Sequence, residues 1–310
     1  MSRLKLGLGT AQFGMDYGVS NRQGKTSPQE VGRILAYAAE HGVRVIDTAA
    51  VYGDSEEVLG GMLPGWHSFD LVTKLPSLLG EDDRFDEAAA ERMLAQSLAR
   101  LRQSSVYGLL LHRAEDLQSP SGDGIMDWLL RCRQEGQVQK VGVSVYAEDD
   151  VDDLLSRYPL QLIQAPVNVF DQRLVRSGAL RRCKERGLEV HARSVFLQGL
   201  LLMDAEELPA YFHPYVDRIV GFHRYIRLHG LAPLEAALAY VNELDEVDAF
   251  VCGVNDCAQL LQLVSAVLGQ SRRLDFASFA SSDPGLVNPA RWQRQAEPHG
   301  NNHHNYSEIR

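Results

Sequence analysis

Positive charge is scarce in this chain of 310 residues, in which 31 lysines and arginines stand against 41 aspartates and glutamates. The resulting formal net charge of −10 repels phosphate backbones, and the basic residues are not clustered strongly enough to offset it. We therefore expect no nucleic-acid partner.

Cysteine is also scarce, and the four thiols at Cys132, Cys183, Cys252 and Cys257 lack the spacing of metal ligands. This usage predicts no metal site and favours free, buried thiols in a reducing compartment. No stretch reaches the roughly 18 apolar residues that span a bilayer, and the first residues lack the apolar core of a signal peptide. We expect a cytoplasmic protein without a membrane partner.

What the sequence does contain is an alternation of short apolar runs with amphipathic segments. Nearly continuous runs of Val, Ile and Leu are typical of parallel strands buried on both faces. Strands are expected at residues 4–9, 43–47, 69–74, 106–112, 138–144, 160–164, 188–193 and 249–253. Helices are expected after the capping box Ser27-Pro28-Gln29-Glu30 and at 55–63, 86–101, 124–134, 148–156, 175–185, 214–227, 233–242 and 256–267.

The alternation predicts parallel pairing with the helices outside, and eight repeats predict an α/β fold of one domain, a closed (β/α)8 TIM barrel. An open doubly wound sheet is the alternative. The barrel is expected to occupy residues 1–285, followed by a C-terminal extension at 286–310 that ends in a mobile tail.

Titratable side chains follow three consecutive predicted strands: Asp47, with Tyr52 just beyond it, then Lys74 and His112. Because active sites of such barrels lie at the C-terminal ends of the strands, we expect these four to meet at one rim. Each alone has an ordinary structural interpretation, such as a turn cap for Asp47 or a packed ring for Tyr52. Together they predict an acid–base site.

The chemistry expected of this group is protonation of a carbonyl oxygen. The ammonium of Lys74 would lower the pKa of Tyr52 from its reference value of about 10, and Asp47 would keep Lys74 charged. His112 would hydrogen-bond the substrate oxygen or relay a proton. Since no side chain is a source of hydride, such a proton donor requires a nicotinamide cofactor.

Seven motifs support this interpretation. They are LGLGTAQFG at 6–14, VIDTAAVYGDSEEVLG at 45–60, LVTKL at 71–75, LLLHRAEDL at 109–117, KVGVSVY at 140–146, LIQAPVNVFDQR at 162–173 and ARSVFLQGLL at 192–201. At these residues the sequence resembles the aldo-keto reductase family. The resemblance implies a TIM barrel that binds NADP(H) without a Rossmann domain. It also implies that Tyr52 is the general acid/base, tuned by Lys74 and Asp47, and that His112 orients the carbonyl.

The resemblance implies a cofactor site along the same rim. Ser144 and Gln164 stand where the nicotinamide carboxamide is held, although the next residue is Val145 where the family usually has asparagine. Arg193 stands where the family stacks an aromatic ring, so its guanidinium would lie on the nicotinamide or contact phosphate. The predicted cofactor-binding residues are Gly9, Thr10, Ser144, Gln164, Arg193, Ser194, Phe196, Gln198, Gly199, Gly253, Asn255 and Gln259.

The choice of cofactor depends on the residues after the eighth strand. NADP-specific members of the family carry Lys or Arg there and one turn into the next helix, whereas this chain has Asn255 and Gln259. The N-terminus of that helix still offers N–H groups to an anion. We expect NADP(H), with a modest preference over NAD(H), which is the alternative.

The expected substrate is a small carbonyl compound, namely an aldehyde, a ketone or an aldose, and the sugar option suggests carbohydrate metabolism. Aromatic candidates for the pocket wall are Phe13, Tyr17, Phe170, Tyr211, Phe212 and Trp292, each with ordinary packing as its alternative. A monomer or weak homo-oligomer is expected.

Three other functions compete with this one. A Schiff-base lyase or aldolase would use Lys74 as its nucleophile on the same barrel. A non-catalytic barrel would bind a nucleotide and a protein partner. A Rossmann dehydrogenase fits less well, because Gln12 replaces the third glycine of the fingerprint and Asp47 lies at about twice the usual distance of about 20 residues.

Overall fold

The apolar strands close into a barrel in the computed structural model, which describes residues 4–65, 67–80, 82–147, 149–269 and 273–292. The strands are β1 (Leu6–Gly9), β2 (Val45–Asp47), β3 (Asp70–Leu75), β4 (Val106–Leu111), β5 (Val138–Ser144), β6 (Leu162–Pro166), β7 (Glu189–Arg193) and β8 (Ala249–Gly253). Each strand pairs in parallel with the next, and β1 pairs with β8 to close the barrel. The predicted (β/α)8 barrel is confirmed, and the open doubly wound sheet is wrong.

Helices alternate with the strands around the barrel. In the described residues they are α1 (Ala11–Gly14), α2 (Pro28–Glu40), α3 (Ser55–Met62), α4 (Glu87–Leu101), α5 (Glu115–Gln118), α6 (Gly122–Gln134), α7 (Val151–Arg157), α8 (Arg173–Arg176), α9 (Ala179–Glu185), α10 (Val216–Leu228), α11 (Pro233–Asn242), α12 (Cys257–Leu268) and α13 (Pro284–Val287). Short 3-10 turns lie at Leu200–Leu202, Ala205–Glu207, Ala210–Tyr215, Ala277–Phe279 and Pro289–Arg291.

Two helical predictions differ from the structure. The helix expected at 175–185 is divided into α8 and α9, because Gly178 adopts a left-handed φ of +74° and ends the first of them. The helix expected at 148–156 runs from Val151 to Arg157, since the carboxylate of Asp150 caps it by accepting from the N–H of Asp153 at 2.9 Å. Position 148 lies outside the described residues.

Helix α2 starts as its sequence predicts, but its capping box is only half formed. Ser27 Oγ accepts a hydrogen bond from the N–H of Glu30 at 3.4 Å, and Pro28 occupies the first helical position. The carboxylate of Glu30 does not return to the cap. It accepts instead from the N–H of Cys257 at 2.8 Å, at the start of α12. The first and last large helices of the barrel are joined in this way.

Two separate hydrophobic clusters lie on either side of the strands. Val45, Val72, Leu110, Leu162 and Ala249 fill the inside of the barrel, and a larger cluster lies between strands and helices. A third cluster packs the long crossing between β7 and β8 against the C-terminal segment, and its members include Phe170, Phe212, Phe222, Leu286 and Val287. This third cluster contains residues on both sides of position 285, so the boundary between the barrel at 1–285 and the C-terminal extension stays a prediction. The tail at 293–310 lies outside the described residues.

The N-terminal end of the barrel is closed by a polar plug, made of Glu189, Tyr107, Lys140 and His191. Tyr107 Oη donates to Glu189 Oε2 at 2.5 Å, Lys140 Nζ donates to the same oxygen, and His191 Nε2 donates to Oε1 at 2.7 Å. These hydrogen bonds outweigh the effect of burial and hold the pKa of Glu189 well below its usual range. The candidate site lies at the opposite end of the barrel, where the strands have their C-terminal ends.

Candidate active site

A buried ion pair joins the ends of β2 and β3. Lys74 Nζ lies 2.8 Å and 2.6 Å from the two carboxylate oxygens of Asp47 and 2.9 Å from the carbonyl oxygen of Thr48. The side chains of Lys74 and Asp47 are 1% and 5% exposed. Burial lowers the pKa of Lys74, and the Asp47 carboxylate opposes that shift. With three acceptors around one nitrogen, we assign Lys74 as an ammonium.

Tyr52 and His112 lie against this pair. The Tyr52 ring centroid is 5.1 Å from Lys74 Nζ, and the ring centroids of Tyr52 and His112 are 6.1 Å apart with planes at 81°. The four residues expected at one rim therefore lie together, as adjacent strands β2, β3 and β4 bring their C-terminal ends side by side.

The pKa of Tyr52 is shifted upward, which is opposite to the expected direction. Burial raises it, the Asp47 carboxylate raises it further, and Arg193 opposes the shift. The expected lowering of this pKa is not found, because burial and the Asp47 carboxylate outweigh the positive charge of Arg193. Tyr52 is therefore a neutral phenol at neutral pH.

His112 is neutral at the same pH. Burial lowers its pKa to about 3, and the positive charges of Lys74 and Arg193 act in the same direction. Its Nδ1 atom is buried without a hydrogen-bond partner among the described residues. A neutral imidazole in this position can donate one N–H to a substrate oxygen without adding a charge.

The turn that carries Tyr52 is fixed by a buried hydroxyl network around Ser55. Ser55 Oγ lies 2.7 Å from the carbonyl oxygen of Thr10, 2.8 Å from Thr10 Oγ1 and 3.2 Å from Thr48 Oγ1. Thr10 Oγ1 donates in turn to the carbonyl oxygen of Asp47 at 3.0 Å. The sequence predicts Ser55 only as the start of a helix. No local signal indicates that its hydroxyl also contacts Thr10 and Thr48.

Close backbone contact holds the same turn from the other side. A Cβ atom on Gly14 would lie 1.8 Å from the carbonyl oxygen of Tyr52. Gly53 has a φ of +58°, and a Cβ atom there would lie 2.3 Å from the carbonyl oxygen of Gly14. Only glycine fits at these two positions, so the main chain of Tyr52 packs directly on α1.

Gln164 connects the acid–base group to the predicted cofactor site. Its Nε2 donates to Asp47 Oδ1 at 2.7 Å, while its Oε1 is buried and has no partner among the described residues. Ser144 is its register partner across β5 and β6, and both side chains are buried. An orphaned amide oxygen needs an N–H donor, and a carboxamide supplies one.

Arg193 ends β7 without a carboxylate partner among the described residues. Its guanidinium carbon lies 4.3 Å from the centroid of the Tyr146 ring, and Nη2 donates to the carbonyl oxygen of Val145 at 3.1 Å. Nη1 reaches Ser194 Oγ at 3.4 Å, and Nε is buried with no partner in this part of the chain. Tyr146 was not among the predicted site residues, and only the fold places it under Arg193.

The loop after β7 has the backbone of an anion-binding turn. Ser194, Leu197, Gln198 and Gly199 all have positive φ values, at 60°, 47°, 53° and 94°. Left-handed residues in such runs turn N–H groups to one side, although those of Leu197 and Gly199 donate to the carbonyl oxygens of Ser194 and Phe196, at 3.0 Å each. The N–H of Val19 donates to the carbonyl oxygen of Gln198 at 3.0 Å and ties the loop to the segment between α1 and α2. Phe196 is partly buried against the hydrophobic clusters.

The predicted residues beside β8 are paired with one another. Gly9 and Gly253 are register partners at the ends of β1 and β8, and Thr10 follows the first of them. The N–H of Asn255 donates to Gln259 Oε1 at 2.8 Å, and Asn255 Nδ2 donates to the carbonyl oxygen of Gly24 at 2.9 Å.

The N-terminus of α12 differs from expectation, because its N–H groups are already bound to acids. Asp256 Oδ1 accepts from the N–H of Gln259 at 2.8 Å, and Glu30 accepts from the N–H of Cys257. Both carboxylates line an open cleft of about 320 Å³, together with Gln23, Lys25, Thr26, Ser27 and Asn255. The cleft is thus more acidic than the sequence predicts.

The aromatic candidates for the pocket wall are mostly core residues. Phe13, Phe170 and Phe212 are 0%, 0% and 2% exposed and pack in the hydrophobic clusters, so their packing alternative is confirmed. Tyr211 and Trp292 pack at the edge of the third cluster, between the β7–β8 crossing and the C-terminal segment. Tyr17 is half-buried.

Comparison with known proteins identifies the family. Residues 5–282 match the sequence profile of the Aldo/keto reductase family. The chain belongs to this family. Among the residues described, no helix of the aldo-keto reductase chain has the length and apolar character to cross a bilayer, and none of its His, Cys, Asp and Glu side chains form a metal-binding group of three or more.

Curated relatives share about a quarter of their residues with this aldo-keto reductase. It is 27% identical over 190 residues to an uncharacterized oxidoreductase, YcsN, of Bacillus subtilis, covering 56% of this chain and 63% of that protein. It is 27% identical over 168 residues to a glyoxal reductase of Bacillus subtilis, covering 53% and 58%. The matched region therefore spans less than two thirds of the length of either relative.

Among solved structures, the holo form of the aldo-keto reductase AKR11C1 from Bacillus halodurans superposes with a TM-score of 0.70. The match covers 89% of each chain at 22% identity, and supports the fold.

Proposed function

We propose that this protein is a nicotinamide-dependent oxidoreductase that interconverts a carbonyl compound and an alcohol. The observation that carries the proposal is the contact group of Tyr52, His112 and the Lys74–Asp47 pair at one rim, with the orphaned Oε1 of Gln164 beside it. A protonated phenol, a neutral imidazole and a fixed ion pair are the groups that activate a carbonyl oxygen.

In the reducing direction, the Tyr52 hydroxyl gives its proton to the carbonyl oxygen. The raised pKa of Tyr52 means that the hydroxyl carries this proton at neutral pH. His112, being uncharged, donates a second hydrogen bond to the same oxygen and orients it. When bound, the nicotinamide supplies the hydride to the carbonyl carbon, or accepts it in the reverse direction.

The chain's own residues fit such a cofactor. Gln164 Oε1 would accept an N–H of the carboxamide, with Ser144 as its neighbour. The left-handed turn from Ser194 to Gly199 would offer the pyrophosphate the N–H groups that it does not use internally, since those of Leu197 and Gly199 are bound to carbonyl oxygens of the loop. NADP(H) remains the proposed cofactor, with a preference over NAD(H) that Glu30 and Asp256 keep small by repelling additional phosphate charge.

The proposed substrate is a small aldehyde, ketone or aldose, and carbohydrate metabolism is the proposed setting. The glyoxal reductase among the relatives supports a carbonyl substrate without specifying one. A cytoplasmic monomer or weak homo-oligomer remains a prediction.

The lyase alternative is disfavoured by the state of Lys74. A Schiff-base nucleophile must be an accessible neutral amine, whereas Lys74 is 1% exposed and bound to three acceptors. Borohydride treatment with a carbonyl substrate should leave Lys74 unmodified. The non-catalytic alternative predicts nucleotide binding without turnover.

Replacing Tyr52→Phe tests the proposal, with Tyr37→Phe on α2 as the matched control. A panel of aldehydes, ketones and aldoses is assayed with both cofactors by nicotinamide absorbance. We expect kcat to fall by about 10²–10⁴-fold for Tyr52→Phe, with cofactor Kd unchanged and the control at wild-type activity. Turnover retained by Tyr52→Phe would refute the assigned role, and no turnover by the wild type with any substrate would favour the non-catalytic alternative.

A further inference from the structure

The charges around the acid–base group do not cancel. Asp47 carries one negative charge and Lys74 one positive charge, and they neutralise each other at contact distance. Glu56, which faces Lys74 from α3, is paired with Arg100 at 2.7 Å. Tyr52 and His112 are uncharged at neutral pH. Arg193 therefore leaves the described part of the site with an excess positive charge.

This charge acts on the reacting centre. Arg193 ends β7 at the same rim, and its positive charge opposes the rise in the pKa of Tyr52 and adds to the lowering of the pKa of Lys74 and of His112. It is fixed in place by the Tyr146 ring and the carbonyl oxygen of Val145, the residue that follows Ser144. In the pairing of β6 with β7, Arg193 lies opposite Pro166, which is two residues beyond Gln164.

On the basis of the proposed function, we infer that Arg193 makes the site selective for the redox state of the cofactor. The site then binds the reduced form in preference to the oxidised form. The oxidised nicotinamide ring carries a positive charge and the reduced ring carries none. Hydride transfer requires that ring to be within reach of the carbonyl held by Tyr52, and therefore within the field of Arg193. The pyrophosphate has the same charge in both forms, so it does not contribute to the difference.

The test is the ratio of dissociation constants for the oxidised and the reduced cofactor, measured by calorimetry for NADP⁺ and NADPH and for NAD⁺ and NADH. In Arg193→Met the ratio should fall by about tenfold, because the charge that repels the oxidised ring is gone. Arg193→Lys keeps the charge and should keep most of the ratio. Arg193→Gln keeps donors for the Val145 carbonyl and serves if the Met variant is unstable. Arg181→Met, at an exposed position, is the control.

The possible results separate this inference from the proposal it rests on. A ratio that falls in Arg193→Met and Arg193→Gln but not in Arg193→Lys supports it. Equal weakening of both forms would mean that Arg193 contacts the phosphates and would overturn it, as would unchanged constants. If the wild type binds no nicotinamide dinucleotide in either form, the proposed function itself fails.

Discussion

The ammonium of Lys74 and the guanidinium of Arg193 differ in one respect that governs the rim. Lys74 has a carboxylate in contact, whereas Arg193 has an aromatic ring and a carbonyl oxygen. Asp47 compensates the charge of Lys74 at contact distance, which weakens the field of Lys74 beyond the pair. Burial, the charge of Lys74 and the charge of Arg193 together keep His112 uncharged.

His112 should make the stability of the fold depend on pH. Its pKa is about 3 in the folded chain, against about 6.5 when unfolded. The unfolded chain alone takes up this proton as the pH falls below 6.5, so the contribution is complete above pH 6.5 and is lost below it. Between pH 6.5 and pH 5 the loss is about 2 kcal/mol.

Urea unfolding at a series of pH values checks this, with His112→Asn compared against His41→Asn at the exposed end of α2. The His112 variant should have a flatter dependence between pH 6.5 and pH 5, and the His41 variant should follow the wild type. A His112→Asn curve parallel to that of the wild type would show that His112 is not held neutral.

At the scale of elements, the N-terminal ends of α2 and α3 form contacts with neighbouring elements rather than binding sites. The sequence of α2 predicts its start correctly, but the acid of its capping box crosses to α12. Similarly, the start of α3 presents Ser55 to Thr10 and Thr48. Both cases depend on which helix lies next to which, and no local pattern contains that information.

Glu30 of α2, whose carboxylate binds the start of α12, should limit the affinity for NADPH. Replacing Glu30→Gln keeps an oxygen for the N–H of Cys257 but removes a negative charge that lines the cleft and that is only partly offset by the exposed Arg33, 2.8 Å away. We expect the affinity for NADPH relative to NADH to rise by about three- to tenfold, as measured by parallel fluorescence titrations. Glu40→Gln, at the exposed end of the same helix, should leave the ratio unchanged. If Glu30→Gln behaves like that control, this cleft does not receive the additional phosphate.

At the scale of the whole molecule, the two ends of the barrel have different tasks. The N-terminal end holds Glu189 among three donors from three strands, and the hydrogen bonds of this plug join its members to one another. Such a buried acid contributes to the stability of the closed barrel, because its removal leaves donors unpaired.

Replacing Glu189→Gln should lower the free energy of unfolding by about 1–3 kcal/mol. Cofactor affinity and kcat should stay at their wild-type values, since the rim is at the opposite end. Glu185→Gln is the control, because its carboxylate is exposed and its ion pair with Arg181 is 4.0 Å long; it should change stability by less than about 0.5 kcal/mol. Denaturant titration and steady-state kinetics on the same preparations measure both quantities. Loss of activity at unchanged stability would contradict this separation of tasks.

The sequence predicts the architecture well, because eight apolar runs with helices between them fit one closed barrel. It also predicts which side chains meet, since the ends of neighbouring parallel strands must share a rim. It does not predict the direction of the Tyr52 pKa shift, which depends on burial and on the positions of Asp47 and Arg193. Nor does it predict Tyr146 under Arg193 or Glu30 at α12, which are contacts between distant segments.

The plug around Glu189 also bears on how this scaffold could change its chemistry. The side chains of the plug take no part in the candidate site, so substitutions in the loops at the opposite end leave its hydrogen bonds in place. Exposed loop positions can therefore be varied without rebuilding the strands. Engineering toward a chosen carbonyl compound should begin at exposed positions of the segments after β1, β4 and β7, keep the packed residues Phe13 and Gly14, and leave the start of β7 untouched.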